Sequence, residues 1–175
     1  GVGELYLTQH VTENKNNHIF TAARFVPKKG LELLFEAFKQ DTDIALLIAG
    51  GNENELEKLE LEIKNGISLL GELNPADVAK QLAATKITVI PSITEPYGII
   101  VAEAICCGSP VVATNVGGIP EVIALAKKNL NSVEQVIFDR WVKVVDPEVA
   151  TIRSGIDSVL KNYSDLEDYI NLVPN

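Results

Sequence analysis

Two glutamates, Glu95 and Glu103, stand eight positions apart in the stretch TEPYGIIVAEAICCGSP, from Thr94 to Pro110. From Ile99 to Cys107 the chain is otherwise apolar. It reads as a buried helix with one carboxylate inside it and another just ahead of its start. If the helix begins near Gly98, Glu103 stands about 8 Å along its axis, at 1.5 Å per residue. The free N–H groups and dipole of a helix start attract an anion such as phosphate. Carboxylates would repel that anion, so they serve another group. A carboxylate accepts hydrogen bonds and sugar hydroxyls donate them. One acid could hold a ribose diol and the other a sugar ring, with a diphosphate between them at the helix start.

A diphosphate would need cations. Arg24 and, five residues on, Lys29 follow the first predicted strand in RFVPKKG. Arginine can fork across phosphate oxygens, and lysine supplies a compact charge. Lys28 competes with Lys29, and local spacing does not decide between them. Plainer readings stand beside these: Glu103 on an exposed helix face, Glu95 as a loop acid or helix cap, Arg24 and Lys29 as solvated charges, and Gly117-Gly118 as turn residues. Each signal alone is weak. Their weight comes from falling at one edge of one predicted sheet.

The elements that would position them alternate. Ile19 to Ala23, Ile44 to Ala49, Ile67 to Leu70, Lys86 to Ile90, Pro110 to Ala113 and Trp141 to Val145 read as short strands. Helical spacing appears at Leu31 to Lys39, Glu53 to Lys64, the segment opened by Asn74-Pro75, the Glu103 stretch, the segment after Gly117-Gly118 and Val149 to Lys161. Strand–helix alternation with strands apolar on both faces predicts an α/β fold. It is a Rossmann-like, doubly wound parallel sheet with helices on both faces, binding ligands at the carboxyl ends of its strands. Lys127 to Arg140 has no clear pattern and reads as an irregular insertion. Gly1 to Asn17 reads as a polar lead-in, leaving residues 18–175 as the domain. Asn162 to Asn175, polar and aromatic, reads as a last helix in need of a partner. His10 and His18 read as surface residues of the lead-in.

Length and charge narrow the function classes. The 175 residues suit one domain, and a net charge of −9 disfavours nucleic-acid partners. Adjacent Cys106 and Cys107 make neither a disulfide framework nor a metal site and point to a reducing cytoplasm. A chain that opens on Gly1 and has no methionine reads as one domain of a longer polypeptide.

From Arg24 to about Val122, and more weakly to Lys161, the sequence resembles the C-terminal, donor-binding domain of GT-B-fold, family 4 (group 1) retaining glycosyltransferases. EPYGIIVAE resembles the family's Glu-x7-Glu motif, AICCGSPVVATNVGGIPEVI the run after it, and RFVPKKGLELLFEAF the phosphate-binding turn and first helix. The resemblance implies that Glu103 holds the ribose hydroxyls of a nucleotide sugar. Glu95 would contact the donor sugar, with the N–H groups of Tyr97, Gly98 and Ile99 nearby. Ile99 and Ile100 would meet the diphosphate, and Arg24 and Lys29, rather than Lys28, would neutralise it as it leaves. Leu73 would lie beside the base. It implies no metal or other cofactor. It also implies an N-terminal acceptor-binding domain beyond this chain, which would carry any peripheral association with the cytoplasmic face of a membrane. Ala23 departs from the family's customary glycine, as does Arg140-Trp141 later on.

Other classes fit less well. A glycoside hydrolase could use Glu95 and Glu103 as its acid pair, but both flank one helix start beside cations suited to phosphate. A binding module without chemistry would not need Arg24, Lys29, Glu95 and Glu103 together. A dinucleotide-dependent dehydrogenase lacks its G-x-G-x-x-G after the first strand.

Overall fold

Strand β1 (Asn16–Ala22) buries four consecutive residues, His18 to Thr21, on both of its faces, as a central parallel strand must. The computed structural model describes residues 3–7, 15–38, 43–51 and 66–172. In it β1 is flanked by β2 (Ala45–Ala49) and β4 (Thr85–Ile90). With β3 (Ile67–Gly71), β5 (Val111–Thr114) and β6 (Val142–Val145) they form a six-stranded, all-parallel sheet in the order β3-β2-β1-β4-β5-β6. Phe20 faces Leu47 on one side and Thr88 on the other, and the register continues through Val111 to Val142.

The chain winds outward from β1 to β3, then returns to β4 and winds the other way. Right-handed crossovers therefore place the helices of the two halves on opposite faces. Helix α2 (Leu31–Phe38) follows β1, and α3 (Pro75–Ala84) carries the chain back from β3 to β4. Helix α4 (Ile99–Cys106) joins β4 to β5, and α5 (Ile119–Lys127) with α6 (Ser132–Trp141) joins β5 to β6. Helix α7 (Val149–Lys161) returns to pack on α2, burying Ile152, Ile156 and Val159 on one helical face. Asn74 caps α3 as its type and position predict, its side chain accepting from the Asp77 N–H at 3.0 Å. The helix expected over Glu53 to Lys64 lies outside the described residues.

Three expectations need correction or completion. The Lys127 to Arg140 segment is not irregular: α6 opens with a capping box in which Asn131 accepts from the Val133 and Glu134 N–H groups, while Glu134 accepts from the Asn131 N–H. His18 is not a surface residue; it sits within β1 and is 8% exposed. His10 lies outside the described residues. The predicted lead-in contains a short helix, α1 (Glu4–Leu7), whose Tyr6 is buried in the core and which packs against α3 and α4.

The last segment finds its partner in α6. Helix α8 (Leu166–Ile170) and the turn before it bring Tyr169 and Tyr163 to Trp141, at ring separations of 6.1 and 5.6 Å. The two hydroxyls donate to the Ser109 and Lys86 carbonyls, at the amino ends of β5 and β4. This aromatic plug closes the sheet at the edge opposite the predicted site.

His18 Nε2 has no partner within the described residues, and burial holds its pKa below the usual 6.5. The unfolded chain therefore binds a proton first as pH falls, and folding stability drops from about pH 6.5 down to the depressed value. In denaturant titrations at pH 7 and pH 5, His18→Leu should lose less stability than wild type across that interval.

Candidate active site

The strand order reverses between β1 and β4, so the loops after these strands diverge and leave a crevice at their carboxyl ends. Arg24 and Lys29 lie in the loop after β1, and Glu95 lies in the loop after β4. Two of the predicted groups meet across the crevice: Lys29 Nζ contacts Glu95 Oε2 at 2.5 Å, with side chains 18% and 11% exposed.

Backbone geometry imposes this meeting. A 3-10 turn over Pro27–Lys29 ends at Gly30, whose φ is 64°. A Cβ there would stand 2.0 Å from the Pro91 carbonyl oxygen, so only glycine lets the loops approach this closely. Just beside it the Lys28 carbonyl accepts from both the Ile93 and Thr94 N–H groups, at 2.9 and 3.0 Å. This contact also separates the two lysines: Lys28 contributes its carbonyl while its side chain is exposed, and Lys29 turns inward. On the far side Gly117, after β5, has φ 52°, and a Cβ would lie 1.9 Å from the Glu95 carbonyl oxygen. Gly118 donates its N–H to that oxygen at 2.9 Å.

Glu95 is thus held by main chain and side chain together. Burial alone would raise its pKa, but the Lys29 ammonium and the Gly98 and Tyr97 N–H groups outweigh burial and hold it below the usual 4.5. Gly98 then turns the chain into α4 through a left-handed N-cap, and the first N–H groups of α4 have no intrahelical acceptor. Tyr97 and Ile99 project beside that helix start, 74% and 55% exposed, and Ile100 is half-buried.

Glu103 lies one turn into α4 and is half-buried, neither in the core nor fully in solvent. Burial raises its pKa above 4.5, and a hydrogen bond from the Tyr6 hydroxyl partly offsets that rise. Arg24 is exposed, and no ion pair to it is formed among the described residues. Leu73, partly buried, follows β3. From the β3 position to β4 is three strand spacings, about 14 Å. The site residues therefore form an arc along one sheet edge: Leu73, then Arg24 and Lys29, then Glu95 with the start of α4. Sequence reasoning missed Tyr6, whose only signal was the apolar LYL within a polar segment. It also missed the grip of Gly117 and Gly118 on the Glu95 peptide.

The glycosyl transferases group 1 family matches residues 4–172. The chain belongs to this family. It is 31% identical over 160 residues to an uncharacterized glycosyltransferase of Methanocaldococcus jannaschii, covering 87% of this chain and 38% of that protein. It is 33% identical over 117 residues to the D-inositol 3-phosphate glycosyltransferase of Corynebacterium jeikeium, covering 58% of this chain and 28% of that protein. The fold matches the Anabaena HepE structure in complex with UDP and glucose, with a TM-score of 0.73 at 19% identity, over 97% of this chain and 48% of that one. It also matches a sucrose-phosphate synthase from Thermosynechococcus elongatus, with a TM-score of 0.70 at 22% identity, over 98% of this chain and 46% of that one. These group 1 likenesses identify the sheet as a Rossmann-like half of a GT-B fold, and the chain spans less than half the length of each of these four proteins.

Two variants test the geometry. Gly117→Ala should destabilise the chain by about 2 kcal/mol or more in denaturant unfolding, because the backbone of the Glu95 loop must move. Lys29→Met should cost about 1–3 kcal/mol at neutral pH, less than breaking a fully buried pair because both groups keep some solvation. The Glu95 contribution is present above pH 4.5 and is lost as pH falls through its depressed value. Lys29→Met should therefore flatten the acid limb of the stability profile.

Proposed function

We propose that the chain is the donor-binding half of a glycosyltransferase, holding a nucleoside diphosphate sugar for transfer to an acceptor with retention of configuration. The observation that carries this reading is the pairing of Lys29 with Glu95 across the switch point, directly beside the open N–H groups of α4. A basic turn in a chain of net charge −9 is suited to a polyanion, and a helix start adds dipole and N–H donors. Lys29 and Arg24 would neutralise the diphosphate as it leaves, with the N–H groups of Ile99 and Ile100, which is where a sugar-transfer transition state gathers charge. Glu95 would accept from the donor sugar, Glu103 from the ribose, and Leu73 would face the base. The arc of about 14 Å from β3 to β4 suits a ligand laid out in that order. The Anabaena neighbour was solved with UDP and glucose, which supports a nucleotide sugar as the ligand class.

The reading needs no metal, since the cations are supplied by side chains. Acceptor binding is assigned to a second domain of the whole protein, so this chain alone should bind donor but transfer sugar poorly. Its setting would be the cytoplasm, where Cys106 and Cys107 stay reduced, or the cytoplasmic face of a membrane reached through that second domain. Among the described residues no helix is long and apolar enough to cross a membrane.

Calorimetric titration with UDP, GDP, ADP and their sugars in the presence of EDTA tests this directly. One nucleotide should bind, and Lys29→Ala and Glu103→Ala should each weaken it about tenfold or more. If none of them binds, or if binding survives both changes, the proposal fails. Rapid sugar transfer by the isolated chain would refute the division of labour between domains.

A further inference from the structure

Helix α1 reaches the seam between α3 and α4 from the amino-end side of the sheet. The Tyr6 carbonyl accepts from Cys107 Sγ, at the last turn of α4, at 3.6 Å. The Tyr6 ring is buried, and its hydroxyl meets Glu103, which lies four residues, or about 6 Å, nearer the start of the helix. A tyrosine side chain spans that rise, so the ring runs along α4 and presents its hydroxyl from below. Lys15 pins the same segment again, donating to the Ala83 carbonyl at the end of α3 at 2.6 Å.

The partners of Glu103 make this contact informative. The groups that face it are Tyr6, Cys106 and Cys107. Burial pushes both thiols above their usual value, the Cys107 thiol to about 12, so neither carries charge at neutral pH. The Lys15 ammonium lies toward Cys107, not Glu103. A half-buried carboxylate therefore has one neutral donor among the described residues and retains acceptor capacity on its other side. A purely structural acid in this place would be expected to take a cation or saturate its oxygens.

We propose that Tyr6 is a positioning residue for Glu103, holding one side of the carboxylate so that its remaining lone pairs receive the two hydroxyls of a ribose. This rests on the donor-site reading above and adds to it: the segment before β1 takes part in distinguishing ribose from deoxyribose. Tyr6 does not touch the nucleotide. It acts by fixing the rotamer of Glu103 and by favouring its ionised form.

The test compares wild type, Tyr6→Phe and Glu103→Gln by calorimetry. The probes are UDP, GDP or ADP, whichever binds, and the matching deoxyribonucleoside diphosphate, from pH 5 to pH 8. Wild type should prefer the ribonucleotide by about tenfold or more, since two hydrogen bonds to a charged group are at stake. Tyr6→Phe keeps the ring and so should leave the melting temperature nearly unchanged. It should nevertheless lose most of that preference, and the pH below which binding weakens should move upward as the donor that favours ionised Glu103 is removed. Glu103→Gln should lose the preference entirely. If Tyr6→Phe keeps both the wild-type preference and its pH dependence while Glu103→Gln loses the preference, Tyr6 does not position Glu103 and the donor site stands without it. A wild type that binds the ribo and deoxyribo forms equally overturns the inference by itself, whatever Tyr6→Phe does to folding. If no nucleoside diphosphate binds wild type, the donor-site reading fails and the inference falls with it.

Discussion

The Glu95 peptide is held from two sides at once. Its carbonyl accepts from Gly118, whose loop follows β5, and its carboxylate meets Lys29, whose loop follows β1. The loops of three adjacent strands are therefore tied at one residue, at the place where the winding of the sheet would otherwise spread them apart. The tie depends on close backbone approach, which is why glycine occupies both flanks. Gly30 and Gly117 each stand where a Cβ would overlap a carbonyl oxygen. The resulting edge is stiff before any ligand arrives, and stiffness at the phosphate and sugar end of a site reduces the ordering that binding would otherwise require. An incoming diphosphate would compete for Lys29, but it would not have to build the crevice.

Sequence pattern revealed the sheet well because its signals were local. Apolar runs gave all six strands to within one residue at most ends, β1 being the exception, and Asn74-Pro75 marked the start of α3. The order of the strands was not local, yet the alternation of strand and helix restricts a parallel sheet to few windings. What escaped were features whose signal is weak or distant. The capping box at Asn131 and Glu134 was present in the sequence, but the segment lacks a strong apolar stripe, so periodicity did not show a helix. His18 looked like a polar flank because its strand begins earlier than its apolar run. Tyr6 could not be read at all, since its partner Glu103 stands nearly a hundred positions away. The pairing of Lys29 with Glu95 was only implied by both lying at one sheet edge. The choice of Lys29 over Lys28 required the turn that sends one side chain inward and uses the carbonyl of the other.

The two carboxylates that opened the question depart from ordinary behaviour in opposite directions. Glu95 is held down by a lysine and two backbone donors against burial, and Glu103 is raised by burial against a single hydroxyl. A raised acid beside a lowered one is also how an acid–base pair in a glycoside hydrolase is arranged. Here the causes differ from that case. In a retaining hydrolase the carboxyl groups stand about 5 Å apart and perturb one another strongly, whereas neither glutamate contributes to the titration of the other in this chain. Glu95 has its oxygens engaged by Lys29 and the Gly98 N–H, which suits an acceptor fixed in place more than a nucleophile. Glu103 is gripped from below, a turn inside the helix, where a proton donor to a leaving group at the crevice would be poorly placed. The opposite shifts therefore describe two binding groups in different surroundings. One is neutralised so that it can stand beside a polyanion, and the other is left short of partners so that it can accept from hydroxyls.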